Sequence, residues 1–434
     1  MVRIKKLSNG ITVILEEMDY LRSVSLGVWV RVGSANETKE NNGIAHVIEH
    51  MLFKGTKNRS AKKIADDCAM LGGNLNAYTS KECTSYYITT LDYHINSAIE
   101  LLSDMICNSL ITEEDLEKEK GVIVEEIDMY DDSPDDLVHE LLQKEVWKNH
   151  PLGFIISGTK KNVEAFTRSD VLEFMKRYYV AENMVISIAG HFEEDNVLNA
   201  LEQYFGEISN ENHPSDFTKP KFHQTFITRN KDIEQVHMNL AFDAVSSNSE
   251  ERYIMSLVNS IFGGSDSSIL FQKVREELGL AYSVFSYASP YNKAGLFQID
   301  VTLNPSNAHH VFDTIMNIIE EFRCEGIREE ELNRAKEQMN TEFIISNESS
   351  RNRMNNNGKA LLHHEPIESI SEIMEQVNKI TIEEANAYIG KYFTIDCFSM
   401  CLIGNINASE KELIETNWKK YNKIEERNKN TKKG

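Results

Sequence analysis

Arg177-Tyr-Tyr-Val-Ala-Glu-Asn-Met-Val-Ile-Ser-Ile-Ala-Gly190 returns without a gap as Lys391-Tyr-Phe-Thr-Ile-Asp-Cys-Phe-Ser-Met-Cys-Leu-Ile-Gly404, 214 residues further on. A second pair, Ile111-Thr-Glu-Glu-Asp-Leu-Glu-Lys-Glu-Lys120 and Ile327-Arg-Glu-Glu-Glu-Leu-Asn-Arg-Ala-Lys336, aligns at an offset of 216. A repeat this long predicts two similar halves. The polar stretch Ser209 to Lys221, with two prolines and almost no apolar residue, reads as a linker between them. The expected halves are therefore 1–208 and 222–434, with 209–221 between. Each mixes alternating runs, such as Val24 to Val32 and Leu296 to Leu303, with helical runs such as Ile95 to Cys107 and Val311 to Phe322. Strands and helices come in unequal groups, which predicts an α+β fold rather than a doubly wound parallel sheet. Lys423 to Gly434, rich in Lys, Glu and Asn, is expected to be a frayed tail.

Composition narrows the function. The 434 residues are 41% hydrophobic, enough for large cores. Against 68 acidic residues stand 46 basic ones, and the net charge of -22 would repel phosphate backbones and anionic membranes. Neither nucleic acid nor a membrane is an expected partner. Met1 to Tyr20 holds only a five-residue, mostly apolar run, Ile11 to Leu15, too short for an export signal or a membrane span. Six cysteines, at 68, 83, 107, 324, 397 and 401, are scattered and form no CxxC pair. They are expected to be reduced, mostly core thiols of a cytoplasmic protein, with Cys397 and Cys401 on one face of a strand.

The chemistry concentrates in Gly43-Ile-Ala-His46-Val-Ile-Glu49-His50-Met-Leu-Phe-Lys-Gly55. This is an apolar helical stretch with Asn41 or Asn42 available to cap its start and Gly55 to end it. His46 and His50 are four apart, so both imidazoles leave one face and can share a metal ion. Glu49 lies on the same side, placed to reach a water rather than the metal, as a general base must. Three ionisable groups amid Ile44, Ala45, Val47, Ile48, Met51, Leu52 and Phe53 would be costly without a partner, and a metal removes that cost. The adjacent pairs His309-His310 and His363-His364 do not compete, since neighbours on a helix do not face one another. Catalytic zinc usually takes a third protein ligand. The predicted long helix Glu114 to Tyr130 offers Glu119 and Glu126 on one face, with Glu125 about 100° away. A solvated helix face is the bland alternative for each of them.

His46-Val-Ile-Glu49-His50 is the inverted zinc motif of the inverzincins, and the chain resembles the pitrilysin family of metallopeptidases, in particular its short members. That resemblance implies a glutamate about 75 residues past the second histidine as third ligand, which falls on Glu126, with Glu125 as the fallback. The family's further acidic residue, seven earlier, falls on Glu119 and is implied to assist catalysis. Phe271-Gln-Lys-Val-Arg275-Glu-Glu-Leu-Gly-Leu-Ala-Tyr282 is similar to the family's second-half Arg/Tyr signature, implying that Arg275 and Tyr282 bind substrate and polarise the scissile carbonyl. Gly73-Asn-Leu-Asn76-Ala77-Tyr78-Thr79 resembles the edge strand on which the family's peptides add, with Asn76 and Ala77 as substrate-binding positions. If Phe53-Lys-Gly55 corresponds to Phe262-Gly-Gly264, the positions of His46, Glu49 and His50 become Met255, Val258 and Asn259, so the second half carries no metal.

The resemblance thus implies two similar α/β halves with mainly antiparallel sheets, arranged as a clamshell, and one zinc ion per chain. It implies hydrolysis of unfolded peptides by a metalloendopeptidase with Glu49 as base, and pairing of two chains into a homodimer. The different class of function it leaves open is a catalytically silent structural or partner subunit, as some pitrilysin-like chains are.

Overall fold

A computed structural model describes residues 2–210 and 218–423. Most of the expected linker, 211–217, and nearly all of the expected tail, 424–434, lie outside the described residues. Two mixed, mainly antiparallel sheets form, and the expected α+β class holds.

The first sheet has β1 (Val2–Lys6), β2 (Thr12–Glu17), β3 (Ser23–Val30), β4 (Asn74–Thr79), β5 (Thr84–Leu91) and β6 (Met184–Gly190), in the order β1-β2-β6-β3-β5-β4. Only β2 and β6 run parallel. The second has β7 (Phe226–Arg229), β8 (Val236–Ala244), β9 (Ala281–Pro290), β10 (Gly295–Leu303) and β11 (Phe398–Ile403), in the order β7-β11-β8-β10-β9, with β7 and β11 parallel. The repeat is now visible as topology. β6 and β11, which end its two copies, each lie between a parallel and an antiparallel neighbour.

Strand alternation divides the first sheet into two buried faces. Val24, Leu26, Val28 and Val30 of β3 point into the main core with Val47, Ile48 and Met51, while Trp29 points the other way. That outer face also carries Ile14, Tyr87, Val185 and Ala189, and it is covered by Met354 and Leu362 of the helix Ser350–Leu362. The fit is close. A Cβ on Gly358 of that helix would stand 2.5 Å from the Trp29 ring. Polar contacts set the register: Arg353 pairs with the buried Glu16, and Asn357 Nδ2 donates to the same carboxylate at 2.7 Å. In the second sheet's core, Phe262, Phe297, Phe322 and Phe393 cluster with ring centroids as close as 4.8 Å. On this sheet's other face the helix Pro134–Val146 packs on β8 and β11. Its His139 lies 2.6 Å from the Tyr287 hydroxyl and 3.3 Å from Asp300, whose carboxyl burial pushes up to about 7.

These two helices make the compact units interleave along the chain. One unit comprises Met1–Met129, Phe154–Phe217 and Phe343–Glu368, the other Tyr130–Gly153, Thr218–Glu342 and Ser369–Gly434. The boundary expected at 209–221 is therefore crossed in both directions. The physical reason is that each sheet has a second face to bury, apolar on the first sheet and lined by Asn239, Tyr287 and Asp300 on the second, and the helix that covers it comes from the opposite half of the sequence. Among the described cysteines none is in a disulfide, and Cys401 is buried in β11.

Candidate metal centre

The histidine helix, Ile44–Met51, begins at Gly43 with φ of 104°, a left-handed conformation that glycine adopts without strain. A Cβ there would also stand 2.9 Å from the Ser157 carbonyl oxygen. The cap is not the Asn41 or Asn42 side chain expected from the sequence. Buried Glu37 takes that role, accepting from the backbone N–H of Gly43 and Ala45 at 2.8 and 2.9 Å, and Asn42 Nδ2 steadies it at 2.8 Å. A carboxylate at this end also faces the positive pole of the helix. Burial pushes Glu37 up to about 7, against the pull of those hydrogen bonds.

From this helix His46 and His50 point to one side, with ring centroids 4.7 Å apart at a T-shaped 69°. The facing helix, Glu113–Asp132, brings Glu126 to both: Oε1 is 3.7 Å from His46 Nε2 and Oε2 is 3.5 Å from His50 Nε2. The donor atoms lie within 4.8 Å of one another, and among the described residues no other group of three His, Cys, Asp or Glu side chains is so placed. Glu125 is exposed and stands outside it.

The donor set fits a zinc ion. Ligands about 2.0–2.1 Å from a tetrahedral zinc stand about 3.3 Å from one another, close to the observed nitrogen–oxygen separations. His46 is 9% exposed, and its Nδ1 is buried without a hydrogen-bond partner among the described residues, so Nε2 is the nitrogen that faces the carboxylate. Burial, reinforced by His50, brings His46 down to about 4, which keeps its imidazole neutral and its lone pair free at neutral pH. Burial also works against a charged His50, but Glu126 and Glu119 beside it prevail and raise its pKa. The hydrogen bond with His50 in turn lowers that of Glu126. A bound cation would replace this mutual neutralisation.

Glu119 stands behind the group rather than in it. Its Oε2 is 3.2 Å from His50 Nδ1 and its Oε1 is 2.6 Å from Lys54 Nζ, so it orients the imidazole from the ring's far nitrogen. Glu49 is half-buried on the near side, where Oε2 accepts from Thr79 Oγ1 at 2.5 Å. Burial raises the Glu49 pKa and the Thr79 hydrogen bond opposes it. Lys54, Thr79 and Glu37 were not among the residues singled out from the sequence. Lys54 follows His50 by four and Thr79 shares the inner-facing parity of β4, so both had a periodic signal; Glu37 reaches the helix through a loop and had none.

Asn76 and Ala77 lie on β4, the edge strand of the same sheet. The exposed Asn76 accepts through Oδ1 from the N–H of Ala77 at 2.8 Å. Arg275 and Tyr282 belong to the second unit. Arg275 sits on a π-helical turn, Phe271–Glu277, with its guanidinium 4.8 Å from the Phe271 ring, and Tyr282 on β9 is 74% exposed. Met255 and Val258 are buried apolar residues of the helix Arg252–Phe262, and Asn259 accepts from Ser286 Oγ at 2.8 Å, so that helix presents no metal-binding set.

An α+β chain of two similar units, with an inverted His/Glu/His helix in the first alone, has the features of a metallopeptidase-type protein. Residues 12–160 match the family described as insulinase, peptidase family M16, and residues 165–339 match the peptidase M16 inactive domain. The chain is 39% identical to a Bacillus subtilis protein named uncharacterized zinc protease YmxG, over 93% of this chain and 98% of that one. It is 37% identical to an uncharacterized zinc protease of Rickettsia bellii, over 94% and 98%. The fold matches the crystal structure of a protease from Helicobacter pylori with a TM-score of 0.88 at 21% identity, over 93% of this chain and 99% of that one. The chain belongs to peptidase family M16, the pitrilysin family. Among the described residues no helix is long and apolar enough to cross a membrane.

Proposed function

We propose that this protein is a zinc metalloendopeptidase that hydrolyses unfolded peptides, with His46, His50 and Glu126 as the ligands of one zinc ion per chain. The observation that carries the proposal is the Glu126 carboxylate facing both Nε2 atoms at 3.5 and 3.7 Å, with the carboxylate of Glu49 beside them. A zinc ion bound there supplies Lewis acidity, acidifying a water molecule and polarising a peptide carbonyl. Glu49 takes the proton from the attacking water and passes it to the leaving amine nitrogen. Glu119 holds the His50 ring in orientation. The peptide adds to the free edge of β4 at Asn76 and Ala77 as a further strand, a mode that demands an extended and hence unfolded substrate. Arg275 and Tyr282 are assigned to the substrate carbonyl, as the family resemblance implies. A homodimer and a cytoplasmic location are part of the same proposal.

The test is hydrolysis of a fluorogenic peptide by the purified chain, with and without a chelator, beside Glu49→Gln. The wild type should lose turnover to the chelator and regain it with zinc. Glu49→Gln should keep its zinc and lose at least about 100-fold in kcat, the usual range for a general base. Full activity of Glu49→Gln at unchanged zinc content removes it from the mechanism. A wild-type chain that binds zinc but turns over no peptide favours the partner-subunit role.

A further inference from the structure

We infer that Thr79 is a positioning residue for the general base: its hydroxyl holds one oxygen of the Glu49 carboxylate and leaves the other to take the proton. The inference rests on the peptidase reading above and goes beyond the inverted motif, which does not include this residue. Thr79 Oγ1 donates to Glu49 Oε2 at 2.5 Å, within the short range of hydroxyl-to-carboxylate hydrogen bonds. Among the described residues it is the one side-chain hydroxyl or amide so placed on Glu49.

The strand explains why a threonine serves. Along β4, Leu75 and Ala77 pack against the main core, whereas Tyr78 packs on the outer face. Alternation therefore places Thr79 on the inner side with Leu75 and Ala77, the side on which the histidine helix packs. A β-branched residue suits the strand, and valine would fill the same shape. What threonine adds at this inner-facing position is a hydroxyl, and its partner is Glu49. A glutamate has freely rotating side-chain torsions, and a base displaced by about 1 Å costs on the order of 100-fold in rate. The Thr79 backbone N–H is also directed at this carboxylate, and with Oε2 engaged by the hydroxyl we assign Oε1 to the water. The hydroxyl also ties the base to the last residue of the edge strand proposed to receive the peptide, so that substrate register and base position share one anchor.

The experiment compares Thr79→Val, which keeps the shape and removes the donor, with Thr79→Ser, which keeps the donor. Thr79→Val should lower kcat about 10- to 100-fold with KM within about twofold and zinc content unchanged, and Thr79→Ser should restore most of kcat. Crystal structures of the metal-free wild type and both variants supply a readout independent of turnover. The Glu49 carboxylate should leave its wild-type position in the valine variant and keep it in the serine variant. An unmoved Glu49 in Thr79→Val overturns the inference, as does a loss of kcat that serine fails to rescue or that follows loss of zinc. If the wild type hydrolyses no peptide, the peptidase reading falls and takes the catalytic consequence with it. The crystal structures still decide whether Thr79 holds Glu49.

Discussion

Glu126 and Glu119 lie two turns apart on one helix, and their neighbours divide their work. Glu126 sees Nε2 of both imidazoles, while Glu119 sees only the far nitrogen of His50 and the ammonium of Lys54. A ligand lost costs more metal affinity than an orienting partner lost, for which about 10- to 100-fold is usual. Glu126→Gln should therefore lower zinc affinity by more than about 100-fold and Glu119→Gln by less, measured by metal analysis against a competing chelator. The reverse order would make Glu119 the ligand. From the sequence the two were distinguishable only by the family spacing, because helical periodicity puts both on one face. Their difference lies in what each faces across the space between two helices.

At the scale of the element, the helix Ser350–Leu362 shows how far packing outruns propensity. Ala is a better helix former than Gly by about 0.5–1 kcal/mol, so Gly358 looks improvable. Its absent Cβ is what lets the helix lie on Trp29, and the added carbon would meet ring atoms at 2.5–2.7 Å. Gly390, inside the helix Ile382–Tyr392, has nothing within 4 Å of the same position. The same substitution should thus have opposite signs. Gly358→Ala is expected to destabilise by about 1–3 kcal/mol, as overpacking does, and Gly390→Ala to stabilise by about 0.5–1 kcal/mol. Urea unfolding of the two variants checks this, and a stabilised Gly358→Ala would show that the helix can lift from Trp29 without loss. The Glu37 cap teaches a similar lesson. The asparagines beside the helix were the local candidates, and the carboxylate that caps it arrives by a loop.

For the whole molecule, interleaving predicts that neither half of the sequence folds alone. A fragment of residues 1–208 would carry Ile14, Trp29, Tyr87, Val185 and Ala189 without Met354 and Leu362 to cover them, and would carry the helix Pro134–Val146 without its sheet. Expressed alone, it should bind a hydrophobic dye and unfold without cooperativity. Co-expressed with 222–434, it should recover cooperative unfolding and zinc binding. Cooperative unfolding of the isolated fragment would show that the covering helix is dispensable. The sequence by itself determined the α+β class, the two-fold repeat, the metal motif on one helix face and its absence from the second half. All of these are written in local periodicity, in the 214-residue offset or in family spacing. Tertiary structure alone decided which helix covers which sheet, which atoms Glu126 and Glu119 each face, what caps the histidine helix and what hydrogen-bonds Glu49. The reason is that periodicity states which face of an element is buried, while the partner of that face is chosen by chain crossings and close packing that no window of sequence contains.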